Sequence, residues 1–123
     1  MPRPSEHLPP DRPLGDAEAE ALAEALRTFG AASRLKLLFA LLDGERSVEQ
    51  LSDDTGLTEN LCSQQLRVLR QARLVAVRRA GRRAHYRLHD HHVPGLLAAL
   101  RHHQEHVTAS PAPDAPIRAG APA

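Results

Sequence analysis

Seven of the eight histidines fall between residues 85 and 106. That density points to metal ligation. His85, His89, His91 and His92 precede or open the last apolar-periodic stretch, and His102, His103 and His106 close it. His103 and His106 are three apart, so they share one face of a helix. Asp90 and His92 stand at its start, where a two-residue offset still converges because the first of them is a cap. His92 and His103 are eleven apart, close to three full turns, so all four side chains point to one side. Within one helix His92 and His103 lie ~16 Å apart, whereas metal–nitrogen distances are ~2 Å. Antiparallel pairing of this helix across a two-fold axis resolves the conflict. Asp90 and His92 of one chain then meet His103 and His106 of a second copy, giving two symmetric sites per dimer. Three imidazoles and one carboxylate suit tetrahedral Zn(II), or Ni(II) or Co(II) with further ligands. His85, His89, His91 and His102 read as surface side chains. His7 sits on an N-terminal tail that could reach the site as an extra ligand.

A second chemistry lies just upstream. Residues 60–89 hold eight arginines and no acid, whereas residues 1–59 hold 6 basic and 12 acidic side chains. A block so one-sided suggests a polyanionic partner. Thr58 can cap a helix whose apolar stripe is Cys62, Leu66 and Leu69, leaving Glu59, Asn60, Ser63, Gln64 and Arg67 on the opposite face. Asn and Gln match the adenine edge, and Arg matches guanine or phosphate. Arg79, Arg82 and Arg83 follow in a Gly-containing turn suited to phosphate or minor-groove contact. Polar base readers on a helix followed by a cationic loop are what duplex DNA recognition needs. Thr58, Asn60, Ser63, Gln64, Arg67, Arg79, Arg82 and Arg83 are therefore the expected DNA-binding residues. Glu59 repels phosphate; it accepts from a cytosine amine or points away.

The elements that must position these groups are readable. Asp16 is expected to cap a helix carrying Leu22, Ala25, Leu26 and Phe29 on one stripe; Gly30 ends it. Ser33 is expected to cap the next, with Leu35, Leu37, Leu38, Leu41 and Leu42 buried and a stop near Asp43-Gly44. Ser47 and Gln50 have capping-box spacing and open a short helix closed by Gly56. A short helix, a turn at 55–57 and a second helix make a helix-turn-helix. Leu74–Arg79 and Ala84–Leu88 read as two strands around the turn Ala80–Arg83. Asp90 to about Val107 reads as the last helix, with Pro94 tolerated in its first turn and Leu96, Leu97 and Leu100 as its stripe. The expected fold is mainly α with a β-hairpin wing, in the order α-α-α-α-β-β-α.

Length and composition set the limits. The 123 residues suit one small domain with tails. Nine of the ten prolines lie outside residues 14–110; proline removes a backbone donor and fixes φ. Residues 1–14 and 108–123 are expected to be disordered tails around a 15–107 domain. The single cysteine, Cys62, excludes an internal disulfide and an all-cysteine metal cage; it reads as a small core residue. No apolar run approaches the ~20 residues that span a bilayer, and the N-terminus has no signal-like stretch, so a cytoplasmic protein without membrane contact is expected. A small aliphatic core is marginal alone, so a homodimer through the first and last helices is expected. A two-fold dimer places two reading helices about one DNA turn apart.

Several stretches resemble the ArsR/SmtB family of winged-helix metalloregulators, over about residues 20–107. They are Ala32-Ser33-Arg34-Leu35-Lys36-Leu37-Leu38, Leu66-Arg67-Val68-Leu69-Arg70, Leu74-Val75 and Ala80–Leu88. Asp90-x-His92 followed by His103-x-x-His106 resembles the last-helix site of the nickel/cobalt- and zinc-sensing branch, whose two pairs come from different subunits. The resemblance implies a repressor whose metal-free dimer binds an operator and is released by Ni(II), Co(II) or Zn(II). It also implies N-terminal tail ligands in the nickel branch, which draws attention to His7. Two departures stand out. The family's Ser-x-His is replaced by Ser63-Gln64-Gln65, and its Ala-Gly-Leu-Val by Ala72-Arg73-Leu74-Val75. Residues 47–51 lack the cysteines of the arsenic and cadmium sensors.

Two other readings compete. One is a winged-helix transcription factor that does not sense metal and acts as an activator or with a partner protein. The other is a metal-handling enzyme, disfavoured because no second carboxylate or nucleophile lies close to the quartet as a general base.

Overall fold

The acidic, alanine-rich segment after Gly15 forms α1 (Asp16–Phe29), and Gly30 turns the chain at once into α2 (Ala32–Ala40). This computed structural model describes residues 11–109. The expected tail residues 1–10 and 110–123, with the suggested ligand His7, lie outside them. Two helix starts differ from expectation. Gly15 rather than Asp16 is the N-cap of α1, and Asp16 becomes the first helical residue, where its charge favours the positive end of the helix dipole. Ser33 lies inside α2, whose N-cap Ala31 makes no side-chain bond. Ala31 O already accepts the first helical bond, from Leu35 N at 3.0 Å, so Ser33 is past the start. α2 also ends at Ala40, before a turn through Asp43.

α3 (Val48–Thr55) follows a two-residue strand, β1 (Arg46–Ser47). Ser47 makes the expected capping box with Gln50: Ser47 Oγ accepts from Gln50 N at 3.2 Å, and Gln50 Oε1 accepts from Ser47 N at 2.8 Å. Gly56 takes a left-handed φ of 79° that closes α3. Thr55 Oγ1 donates to Leu51 O, and Ser52 Oγ donates to Leu57 O, each at 2.6 Å. The turn is thus fixed by its own side chains, and it delivers the chain to α4 (Glu59–Gln71) at a set angle.

The wing pairs β2 (Val75–Ala80) with β3 (Arg83–Leu88), antiparallel, with Ala80 opposite Arg83. Gly81, at φ 64°, takes the first central position of the two-residue turn, where an L side chain is disfavoured. The sheet has a third strand that periodicity could not reveal. β1 pairs with β3, Arg46 opposite Tyr86 and Ser47 opposite His85, giving the order β1-β3-β2. The observed element order is therefore α-α-β-α-α-β-β-α.

Helix α5 spans His92–Ala109, two residues beyond the expected end, with Asp90 just outside its start. The core is aliphatic: Leu37, Leu38, Leu41, Leu51, Cys62, Leu66, Leu69, Val75, Val93 and Leu97 are buried. Two expected stripes divide. Leu42 is exposed rather than buried, because α2 has already ended. On α5, Leu97 faces the core with Val93, whereas Leu96 and Leu100 stay about 40% exposed. α1 buries no residue at all, and Leu22 and Leu26 face outward. Within its own chain α1 leans on α2 and on the turn after α4, with Phe29 against the core.

The turn from α4 into the wing is a Schellman closure: Leu74 N donates to Leu69 O at 2.9 Å, and Arg73 N donates to Arg70 O at 3.0 Å. It forces Arg73 to φ 62°, the left-handed region that costs an L residue about 1–2 kcal/mol. Arg73, where the resembled family has glycine, therefore keeps the turn and bears its strain. Arg73→Gly should stabilise the fold by about 0.5–1 kcal/mol after glycine's own entropic cost, seen as a Tm rise of a few degrees. A lower Tm would show that the Arg73 side chain holds the turn by other contacts.

Candidate functional site

α4 divides cleanly into two faces. Cys62, Leu66 and Leu69 are buried, and Asn60, Ser63, Gln64 and Arg67 are exposed on the other side. Thr58 is the N-cap, its Oγ1 accepting from Leu61 N at 3.1 Å. The hydroxyl proton stays available to a ligand at the helix N-terminus, where the dipole favours an anion. Burial raises the Cys62 thiol pKa, consistent with a core residue rather than a reactive one.

The wing folds back toward this helix. A cleft of about 290 Å³ is lined by Ser63, Arg79, Arg82 and Arg83 together with Glu49 and Tyr86. Four of the residues expected to meet DNA thus share one concavity. Asn60, Gln64 and Arg67 lie along the open face of α4 rather than in it. Sequence reasoning missed Glu49 and Tyr86, which enter only because α3 packs beside the wing. Hydrogen bonds from its own backbone N–H and from Ser47 hold the Glu49 carboxyl below its usual range, and Arg83 and His85 add to this. A carboxylate among three guanidinium groups moderates their attraction for phosphate. Arg78 is not free: Glu45 accepts from its Nη2 at 2.8 Å and its Nε at 3.1 Å.

The histidine end has its own geometry. Asp90 Oδ1 accepts from His92 N at 3.2 Å and lies 2.5 Å from His92 Nδ1, while Oδ2 lies 3.1 Å from His89 Nδ1. The His89 bond and then the His92 backbone N–H keep the Asp90 carboxyl below its ordinary range. Two of the four expected ligands, Asp90 and His92, are thus brought together at the start of α5. His103 and His106 sit exposed in the last turns of α5, one face apart from their neighbours Gln104 and Glu105. Among the described residues, no three His, Cys, Asp or Glu side chains of one chain gather as a cation site. The quartet is thus not assembled within a protomer, as the length of α5 requires. Between its halves runs an exposed stripe: His92, Leu96, Leu100, His103 and Val107 recur at four and three. Arg101, stacked over the Phe39 ring at 4.4 Å, fixes α5 against α2 beside that stripe.

A capped helix-turn-helix, a polar open face on its second helix and an arginine-lined wing define a winged helix-turn-helix DNA-binding protein. Residues 32–77 match the family model for the bacterial regulatory protein, arsR family. The HTH-type transcriptional regulator NmtR of Mycobacterium tuberculosis is 39% identical over 98 residues, 80% of this chain and 82% of that protein. The crystal structure of M. tuberculosis Rv0081 superposes with a TM-score of 0.72 at 33% identity, covering 77% of this chain and 96% of that one. The solution structure of Mb0332 from Mycobacterium bovis, a homodimeric winged helix-turn-helix DNA-binding domain, gives 0.68 at 31% identity over 79% and 94%. The chain belongs to the ArsR family of bacterial regulatory proteins; it is a DNA-binding transcriptional regulator and not an enzyme. Among the described residues, no helix is long and apolar enough to cross a membrane.

Proposed function

We propose that this regulator is a metal-responsive repressor that binds operator DNA as a homodimer and releases it on binding Ni(II), Co(II) or Zn(II). Asp90 and His92 of one protomer, with His103 and His106 of the partner subunit, would hold the ion, two sites to a dimer. The donor set fits: an ionised carboxylate beside one imidazole at the start of α5, and two imidazoles at its end. A bound divalent ion supplies a cross-link between protomers. The observation that carries the reading is the exposed stripe His92–Leu96–Leu100–His103–Val107. Its leucines call for a partner helix, and its ends carry the ligands, so antiparallel pairing of α5 satisfies both together. Locking the dimer in a form that fits DNA poorly makes the two ligands antagonists, and each weakens the other by one shared free energy, typically about 1–3 kcal/mol.

The test is to titrate Ni(II), Co(II) and Zn(II) into the protein while following operator binding. One tight ion per chain and loss of the DNA complex are expected. Weak binding with no effect on DNA would favour a regulator that acts without metal, as an activator or with a partner protein.

On the DNA side, Thr58, Asn60, Ser63, Gln64 and Arg67 of α4 would enter the major groove, and Arg79, Arg82 and Arg83 would take phosphates or the minor groove. Arg67→Ala should weaken binding and lower the slope of log K against log salt by about one, as loss of a phosphate contact requires. An unchanged slope would assign Arg67 to a base edge instead.

A further inference from the structure

One arginine joins three elements and has no part in the sites above. Arg34, in the first turn of α2, donates from Nε to Thr28 O at 2.7 Å and from Nη2 to Arg27 O at 3.1 Å. Both acceptors are carbonyls in the last turn of α1, where the dipole is negative; Arg27 O also accepts from Gly30 N at 3.0 Å. From its other edge, Nη1 donates to Gln65 Oε1 on α4 at 2.8 Å, across 31 residues of sequence. Gln65 is half-buried, between the exposed pair Ser63 and Gln64 and the buried Leu66. A planar guanidinium offers donors in two fixed directions, which an ammonium cannot do.

We propose that Arg34 is a positioning residue: its fork sets the reading helix α4 against the end of α1. The inference rests on the reading that α4 meets DNA and that α1 lies at the dimer face. α1 has no fully buried residue in its own chain and touches the core only through Phe29, so a partner helix that held α1 would also hold the carbonyls to which Arg34 donates. Through Gln65, Arg34 then carries the placement of α1 to Ser63, Gln64 and Arg67. Gln65 acts by accepting from Arg34, not by touching DNA.

The test is a double-mutant cycle on the metal-free full chain, read as affinity for operator DNA and for unrelated duplex of equal length. Gln65→Leu and Arg34→Ala should each lower operator affinity about tenfold, leave unrelated-duplex affinity within about twofold, and leave the salt slope unchanged. The double variant should be no worse than Arg34→Ala alone, as expected when both changes break one contact. Gln65→Leu spares the α1 carbonyls, so it reports the α4 arm even if Arg34→Ala loosens the fold. Arg34→Lys should lose as much operator affinity as Gln65→Leu, because one ammonium cannot serve both elements. Unchanged operator affinity in Gln65→Leu, losses that multiply in the double variant, or a salt slope lower by about one would each overturn the proposal. Arg67→Ala run in parallel separates the two levels. If it too costs nothing, the assignment of α4 as the reading helix fails; if it weakens binding, only the role of Arg34 fails.

Discussion

His103→Ala should abolish the response to metal while leaving the operator affinity of the metal-free dimer within about twofold. His103 is exposed on α5, far in sequence from the α4 face and wing, so its imidazole contributes nothing to the metal-free fold. Its loss leaves the end of α5 with His106 alone as a ligand. Replacing even groups that merely orient a ligand costs about 10–100-fold in metal affinity, so removing a direct donor should cost at least about 100-fold. Calorimetric titration should fall from one tight Ni(II) or Zn(II) per chain to weak, non-stoichiometric binding. His102→Ala, one residue away on another face of the helix, should change neither stoichiometry nor release. Acidity gives an independent reading of the same site. An imidazole must be neutral to ligate, so affinity should fall as the pH is lowered. Asp90 does not share in that loss, because His89 and the His92 N–H keep its carboxyl ionised to lower pH than usual. Affinity that does not vary between pH 5 and 8 would rule out histidine ligation.

What could be read from the chain alone follows the range of the interaction concerned. Ser47 and Gln50, Gly56, Thr58 and the Cys62–Leu66–Leu69 stripe are decided within a turn or two of helix, and each stands where spacing placed it. Ser33 does not cap α2, because the helical bonds already begin at Ala31 O, which accepts from Leu35 N at 3.0 Å. β1 left no trace because two residues have no alternation; Arg46 and Ser47 are a strand only by lying against Tyr86 and His85. Glu49 is equally illegible, since it joins the arginine cleft only through the packing of α3 beside the wing. Asp90 and His92 are brought together locally by a helix start. The proposed junction with His103 and His106 would be a property of two chains, so periodicity could call for a second copy but not display it. Arg34 marks the limit: nothing in its neighbours announces a bond to Gln65, 31 residues on.

Leu100→Glu should split the dimer while leaving a folded monomer, and it should take DNA binding and metal binding with it. Leu100 and Leu96 lie exposed on α5 at four-residue spacing, between His92 and His103. A glutamate there would meet its counterpart and the facing leucines across the helix pair. A carboxylate removed from water without a partner costs several kcal/mol, so dimer dissociation should strengthen by at least about 100-fold, since 1.4 kcal/mol corresponds to tenfold. The monomer should survive, because α5 is held to its own chain by Val93 and Leu97, both fully buried, and by Arg101 over Phe39. Circular dichroism should keep its helical signal while sedimentation equilibrium reports one chain. Leu97→Ala makes the contrast: it opens a cavity in the core and should cost about 2–5 kcal/mol of folding stability. With the dimer gone, operator affinity should collapse toward that of unrelated DNA, because two half-sites are no longer held one turn apart. Each metal site should lose half its donors in the same step, although no ligand was altered. A Leu100→Glu protein that stays dimeric at micromolar concentration would place the two-fold contact elsewhere, and the shared α5 site would fall with it.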